Sequence, residues 1–582
     1  MRPTNLFTNL PEPDLDALSF CGHTATALGD WIAALPMANI DESADKLFTA
    51  ISELTRLKLD PVRRIELLEM LRPPLLYVCA RFDTRPKGNE HLELEPSYTA
   101  QNLQEELAGS YKIVVRDMLR RSESTEESVT ELLGLSIHRV ISELSRTILR
   151  ACQFYTEALP QIWSELHQLY QLALEQELAD QKYTDDENHS VRLTSITAAY
   201  IRILLLATSR PNQLRHRHLT ALFHGLEVWT SYVSLDRPTD DSLFIIDPGG
   251  NSPPQYRRLL ENVKQGSFEL KTDVLVFELE AFLNELDTKI EVPDYLQEEL
   301  LGHVIRAWGI MKKRAFKRSA AEGEVKICVG LRVIHYYITG GVEFAEQLGS
   351  TEALLRREIN PFSETFSGAG AATASPDVWG SSAIIPENPN VRDPDRVLLS
   401  ETKAGDRRHH DPEKYPCYDT QIIDSSPNGY QLCRPDGLPP NLQTGELLAI
   451  RDNLDDRWCL AVARWIRHVD YTAYIGVELL SPRAVPMAIR VVQKKGGPTD
   501  YSRALLLPAL EVIGQPAMLI TPLIPFKESQ KIHIQRQGIQ TTAQLMRRIR
   551  ITESFSQFTF RMLDGYLENA EINMKITSIG DN

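Results

Sequence analysis

Long apolar segments are absent from the sequence, and no run approaches the roughly 18 uninterrupted apolar residues that a membrane-spanning helix needs. The first residues, Met1 to Phe7, contain neither an apolar segment of secretory length nor a small-residue cleavage site. The sequence therefore predicts a cytoplasmic protein that does not insert into a membrane.

Cysteine is scarce, and its seven copies are scattered, without a C-x-x-C pair or a histidine pair at zinc-finger spacing. Most lie in apolar runs, as Cys79 does between Val78 and Ala80, where a thiol behaves as a small hydrophobic group. An odd, dispersed set also argues against a disulfide framework. We expect reduced thiols and no metal site.

Positive charge is in deficit, because 63 lysines and arginines are outnumbered by 79 aspartates and glutamates, for a net charge of −16. An acidic chain repels phosphate backbones at long range, so we expect no nucleic acid polymer as a partner. A few local arginines can nevertheless hold a small anionic ligand in such a chain.

Signatures of catalysis are also missing. The sequence has no Walker loop, G-x-S-x-G elbow, H-E-x-x-H pair or dinucleotide fingerprint. His335, within an apolar stretch, is predicted to be a packed core histidine. We therefore assign no catalytic residue and predict that the protein is not an enzyme. An unrecognised catalytic site in the helical region is the alternative hypothesis.

Residues 1–358 show the apolar spacing of helices. Leu47, Ile51 and Leu54 line one helical face, and the same pattern recurs along this region without a fixed repeat length. Pro73-Pro74 is expected to break one of these helices. Phe244–Ile246, before a Gly-rich turn, is predicted to be a short strand or an extended segment. We predict an α-helical array.

Residues 359–390 are rich in Gly, Ala and Ser, cannot bury enough apolar surface to order themselves, and are predicted to form a flexible linker. After the linker, the apolar period changes to two. This predicts a small antiparallel β-barrel at residues 391–485 and a β-rich segment or second barrel at residues 486–582. The predicted strands are Val397–Leu399, Tyr418–Ile423, Tyr430–Cys433, Leu447–Arg451, Trp458–Arg467, Tyr474–Leu480, Ala504–Leu507, Ala517–Ile520, Lys531–Gln535 and Phe555–Phe560.

A polar D-x-S-x-x-G turn separates two of these strands and contains Asp424, Ser426 and Gly429. Asp424 and Ser426 offer acceptors to the N–H donors of guanine, and the Ser426 hydroxyl can also donate to a phosphate oxygen. Gly429 permits a positive φ and a close approach of ligand to backbone. The alternative is an ordinary polar β-turn.

An arginine arm precedes this turn. Arg392 and Arg396 form an R-x-x-x-R pattern in a polar stretch, and two guanidinium groups at that spacing can bind phosphates or guanine edges. Arg407 and Arg408 form a second, more basic candidate pair that lacks the R-x-x-x-R spacing. The adjacent histidines at 409 and 410 could bind a metal, but no third ligand is apparent and a solvated loop is favoured.

Residues about 388–485 resemble a PilZ domain, a bacterial β-barrel family that binds cyclic di-GMP through an R-x-x-x-R arm and a [D/N]-x-S-x-x-G loop. The order of features is the same: arginine arm, strand, motif loop and strand, followed by Gly445-Glu446-Leu447, Ala463-Arg464-Trp465 and Ile475-Gly476-Val477.

The resemblance implies that Arg392 and Arg396 clamp the dinucleotide, while Asp424, Ser426 and Gly429 form the opposite wall. It implies a signalling effector with cyclic di-GMP as its ligand, which acts through contacts with an unidentified protein partner. This sequence departs from the family pattern because Asp393 and Asp395 lie inside the arm. The competing hypothesis is a helical scaffold or adaptor with a degenerate barrel that binds no nucleotide.

Overall fold

The computed structural model describes residue 7 and residues 10–83, 94–120, 127–309, 319–348, 412–426, 428–452, 457–493, 499–509, 514–536 and 539–563. The chain separates into two compact units. The first unit comprises Met1–Ala315 with Arg467–Asp470, and the second comprises Phe316–Ile466 with Tyr471–Asn582. Within the described residues, we find no helix with both the length and the apolar character to cross a membrane.

The first unit is mainly helical, as predicted. Its helices are α1 (Ala25–Ala33), α2 (Ile40–Arg56), α3 (Pro61–Asp83), α4 (Leu94–Arg120), α5 (Glu127–Gln153), α6 (Pro160–Glu175), α7 (Ile196–Thr208), α8 (His216–Trp229), α9 (Asp273–Leu283) and α10 (Glu298–Trp308). Helix α2 shows why these segments fold: Asn39 caps its first turn, and Leu47, Ile51 and Leu54 are almost fully buried along one face.

Short strands accompany the helices. β1 (Lys182–Thr184) and β2 (Leu193–Ser195) form a hairpin, and a four-stranded sheet of order β3-β6-β4-β5 contains β3 (Ser234–Asp236), β4 (Phe244–Ile246), β5 (Gln255–Tyr256) and β6 (Phe268–Lys271). The predicted strand at Phe244–Ile246 is thus present as β4. The prediction that Pro73-Pro74 ends a helix is wrong, because α3 continues through both prolines. Leu71, Leu75 and Val78 are fully buried around them, so packing outweighs the lost backbone hydrogen bond.

The second unit contains two closed six-stranded barrels. The middle barrel has the order β10-β11-β12-β9-β8-β7, with β7 (Ser319–Val329), β8 (Tyr418–Ser426), β9 (Gly429–Arg434), β10 (Leu447–Asp452), β11 (Cys459–Val469) and β12 (Thr472–Ser481). The C-terminal barrel has the order β13-β14-β15-β18-β17-β16, with β13 (Val485–Val491), β14 (Ser502–Leu507), β15 (Met518–Thr521), β16 (Lys531–Arg536), β17 (Ile539–Ile551) and β18 (Ser556–Met562).

The predicted fold class, helices followed by β-barrels, is confirmed. Strand β7 differs from expectation, because it lies inside the range predicted to be helical and closes the middle barrel between β8 and β10. The alternating, buried Val325 and Ile327 carry its strand signal. The strand predicted at Val397–Leu399 and the predicted linker at 359–390 lie outside the described residues.

Two short helices, α11 (Leu331–Ile338) and α12 (Phe344–Gln347), follow β7. His335 on α11 is 1% exposed, and its Nε2 lies 3.2 Å from the Met487 carbonyl oxygen of the C-terminal barrel. The predicted core histidine is confirmed. Burial lowers the pKa of His335 to about 4, so the imidazole is neutral at pH 7.

A buried ionic network fixes the β1–β2 hairpin of the first unit onto its helices. Arg72 on α3 donates to Glu143 at 2.8 Å and to Asp185 at 2.6 Å and 3.1 Å, and all three side chains are buried. Burial alone would raise the pKa of Asp185, but the charges of Arg72 and Arg139 outweigh it and hold that pKa well below its usual range. The carboxylate is therefore charged at pH 7 and needs both cations.

We predict that Asp185→Asn lowers the free energy of unfolding of the helical unit by about 3–5 kcal/mol, because buried Arg72 then loses one of its two carboxylate partners and buried Arg139 loses a nearby carboxylate. Urea unfolding of the full chain, followed by helical circular dichroism, measures this loss. Asp186→Asn is the matched control, since the neighbouring Asp186 side chain is 71% exposed and its nearest cation is 3.7 Å away. We expect the control to change stability by less than about 0.5 kcal/mol; equal losses would contradict the network's role.

Candidate ligand-binding site

The D-x-S-x-x-G motif forms the tip of the β8–β9 hairpin. β8 ends at Ser426 and β9 begins at Gly429, and these two residues are register partners. The Ser426 hydroxyl donates to the Gly429 carbonyl oxygen at 3.1 Å, and the Leu479 amide of β12 donates to the Asn428 carbonyl oxygen at 2.9 Å. The first bond closes the tip, and the second attaches it to β12.

A β-bulge decides which way the motif residues point. Ile422 pairs with Leu432, whereas Asp424 pairs with Gln431, so Ile423 is an extra residue in β8. Leu432 is fully buried, and cross-strand partners share a face of the sheet. The bulge thus places Asp424 on the face opposite to Leu432. Ser426, two residues further, lies on the same face as Asp424.

The outward face continues across β9 onto β12. Gln431 pairs with Gly476, and Gly429 pairs with Glu478. Two cross-strand rows result, and we call this surface the motif face: Asp424, Gln431 and Gly476 form one row, and Ser426, Gly429 and Glu478 form the other. With strands spaced about 4.8 Å apart, Glu478 lies about 10 Å from Ser426 along its row.

Gly429 and Gly476 are required by close packing. A Cβ on Gly429 would lie 1.9 Å from the Val477 carbonyl oxygen, and a Cβ on Gly476 would lie 1.9 Å from Nε1 of Trp465. The left-handed backbone expected at Gly429 is not adopted, since its φ lies outside that region. The glycine of the motif therefore permits close approach of β12, and Trp465 covers Gly476 on the motif face.

Two arginines meet at the end of the motif face. The Glu478 carboxylate accepts from Arg550 at 2.5 Å and 3.4 Å, and Nε of Arg464 lies 3.2 Å from it. Arg464 belongs to β11 of the middle barrel, whereas Arg550 belongs to β17 of the C-terminal barrel. No motif in the sequence singles out either Arg550 or Glu478. Only the register of β9 with β12 reveals that Glu478 lies beside the motif.

The motif face carries acceptors at one end and guanidinium groups at the other. The Asp424 side chain is half-buried, with Oδ1 shielded from solvent, and its carboxylate acts only as an acceptor when ionised. The Ser426 hydroxyl hydrogen points at Gly429, which leaves its oxygen available as an acceptor. Such a surface suits a ligand that combines N–H donors with anionic groups.

The structure brings together three of the predicted site residues, Asp424, Ser426 and Gly429. The candidate arms lie outside the described residues, both the Arg392/Arg396 pair and the Arg407/Arg408 pair. The arm therefore stays a prediction.

Family models match the chain along most of its length. Residues 26–240 match the model for "Cyclic-di-GMP receptor FimW, N-terminal domain", residues 243–486 match "Cyclic-di-GMP receptor FimW, middle PilZ domain", and residues 487–563 match "FimW C-terminal beta-barrel domain". The motif face lies in the range of the middle model, and Arg550 lies in that of the C-terminal model. The PilZ resemblance inferred from the sequence is confirmed.

The chain is also similar over nearly its whole length to the protein named Cyclic-di-GMP receptor FimW from Pseudomonas aeruginosa strain PAO1. The two are 32% identical over 574 residues, which cover 96% of this chain and 93% of the relative.

We predict that Gly429→Ala lowers the free energy of unfolding by about 1–3 kcal/mol, because the added methyl group must push β9 and β12 apart. Thermal unfolding followed by near-ultraviolet circular dichroism measures the change. Gly323→Ala on β7 is the control, since a Cβ there meets no atom within 4 Å. We expect Gly323→Ala to leave the free energy of unfolding unchanged or to raise it slightly. A Gly429→Ala protein as stable as the unaltered chain would contradict the close packing of β9 against β12.

Proposed function

The chain belongs to the FimW family of cyclic-di-GMP receptors, and on that premise we propose that it binds cyclic di-GMP on the motif face and acts as a signalling effector. The observation that carries the proposal is that Asp424 and Ser426 lie on one outward face of the middle barrel. The same face also carries Glu478. This is the arrangement that the motif needs to contact a ligand.

Asp424 and Ser426 recognise guanine in this proposal. The Watson–Crick edge of guanine presents N–H donors, and the Asp424 carboxylate and the Ser426 oxygen are acceptors on neighbouring rows. Adenine has an acceptor at the corresponding ring nitrogen, so it would face the carboxylate unfavourably. The same pair therefore favours cyclic di-GMP over cyclic di-AMP.

The arginine arm holds the phosphates in this proposal. Arg392 and Arg396 form the first candidate arm, and Arg407 with Arg408 forms the second. Both pairs precede β8 in the sequence. Guanidinium groups bind phosphate oxygens bidentately, so either pair can bind the dianionic ligand against the motif face.

The output of binding is a changed contact with a partner protein, without a chemical reaction. The protein acts in the cytoplasm, where cyclic di-GMP is a diffusible signal. The competing function, a helical adaptor whose barrel binds no nucleotide, draws on Asp393 and Asp395, which offset the charge of the first arm.

Isothermal titration of the full chain with cyclic di-GMP tests the proposal. We expect saturable binding that weakens at least about tenfold in Asp424→Ala and in Ser426→Ala, because each removes an acceptor for a guanine donor. Cyclic di-AMP should give much weaker binding. Asp419→Asn is the control, since Asp419 lies on the same strand, is 81% exposed and pairs with Lys326 at 2.8 Å.

The arms are separated by two double variants, Arg392→Ala/Arg396→Ala and Arg407→Ala/Arg408→Ala, each tested for the rise in melting temperature that ligand produces. The pair that forms the arm should lose this rise, and the other should keep it. Absence of heat from the unaltered chain at high ligand concentration would leave the adaptor as the function.

A further inference from the structure

The charge of the predicted first arm is insufficient for a dianion. Arg392 and Arg396 flank Asp393 and Asp395, so these four side chains sum to zero, and Asp424 adds a negative charge on the motif face. The whole chain carries −16. A ligand with two phosphodiester groups held by this arm therefore needs further cations, either from the second candidate arm, Arg407 and Arg408, or from the surroundings of the motif face.

Arg550 is a cation of the C-terminal barrel that lies at the end of the motif face. The pairing of β17 with β18 shifts register between Leu545 and Arg548 and again between Arg548 and Arg550. Bulges of this kind re-aim side chains. Arg550 consequently extends to Glu478 of the middle barrel, and its side chain remains 24% exposed. A guanidinium in this setting is bound but accessible.

The position of Arg550 relative to the motif is fixed by a shared apolar interface. Leu447 and Leu460 of the middle barrel pack in one buried cluster with Leu505 and Phe555 of the C-terminal barrel. Ser554, close to Arg550 in the chain, hydrogen-bonds to Glu446 across the same interface. The two barrels therefore hold Arg550 beside β12 before any ligand arrives.

The Glu478 carboxylate forms ion pairs with two arginines. It lies at the end of the row that contains Ser426 and Gly429. A carboxylate and a phosphate present similar oxygen pairs to a guanidinium group, so one can replace the other. The ion pair is partly exposed, with Glu478 at 33%, so the exchange requires little desolvation.

We propose that Arg550 is a ligand-binding residue contributed by the C-terminal barrel: Glu478 holds it in the free protein, and a phosphate of the bound dinucleotide takes the place of Glu478. The two barrels then form one site, and occupancy of the middle barrel is transmitted directly to β17. This inference rests on the proposed function and adds to it a second barrel and a competing internal carboxylate.

Titration of the full chain with cyclic di-GMP tests the inference in Arg550→Gln, with Arg547→Gln as the matched control. Arg547 lies on the same strand and is exposed, and its backbone amide bonds to Thr559. We expect Arg550→Gln to weaken binding about tenfold or more and the control to stay within about twofold. The affinity of Arg550→Gln should also fall less steeply with added salt than that of the unaltered chain, because one charge–charge contact with phosphate is lost. A variant that only disturbed packing would keep the original salt dependence.

Glu478→Gln provides the second arm of the test. Removing the competing charge should tighten binding about threefold or more, whereas weaker binding would overturn the displacement of Glu478. Arg550→Lys, which keeps the charge, should retain more affinity than Arg550→Gln and carries the test if the glutamine variant does not fold.

The two proposals fail in different ways. Binding to the unaltered chain with equal affinity for Arg550→Gln and Arg547→Gln would overturn this inference and leave the proposed function intact. Absence of binding to the unaltered chain would overturn both.

Discussion

The single extra residue in β8, Ile423, determines which face of the middle barrel carries the residues of the motif. Side chains alternate between the two faces of a strand, so one additional residue moves every following side chain to the opposite face. Before the bulge, Ile422 pairs with the fully buried Leu432; after it, Asp424 pairs with Gln431 on the outward face. Without this bulge, the carboxylate of the motif would point toward the interior, where an isolated charge is costly.

The same register links the motif to the rest of the second unit. Gly429 admits the Val477 carbonyl because it has no Cβ, and the resulting pairing of β9 with β12 places Glu478 at the end of the motif row. Glu478 in turn contacts Arg550, a residue of the other barrel. A surface that begins with a hairpin turn thus ends on a different barrel. A ligand that spans this surface would contact both barrels at once.

Local patterns in the sequence carry much of this architecture. The helical spacing of Leu47, Ile51 and Leu54 and the alternation from Tyr418 to Leu480 are properties of single elements, and both describe the elements found. Long-range packing is not visible in this way. Such packing keeps α3 continuous through Pro73 and Pro74. It also places β7 in a barrel whose other strands begin at Tyr418, beyond the predicted linker. The motif was recognisable from Asp424, Ser426 and Gly429, whereas Glu478 and Arg550 required the strand register, since neither lies near the motif in sequence.

Amide hydrogen exchange of the full chain, with and without cyclic di-GMP, tests most directly whether one ligand contacts the hairpin, β12 and β17 together. The account predicts slower exchange in the segments 424–431, 476–479 and 547–551 on addition of the ligand, because each contributes to one bound surface. Protection confined to the hairpin, or protection in neither barrel, would contradict it.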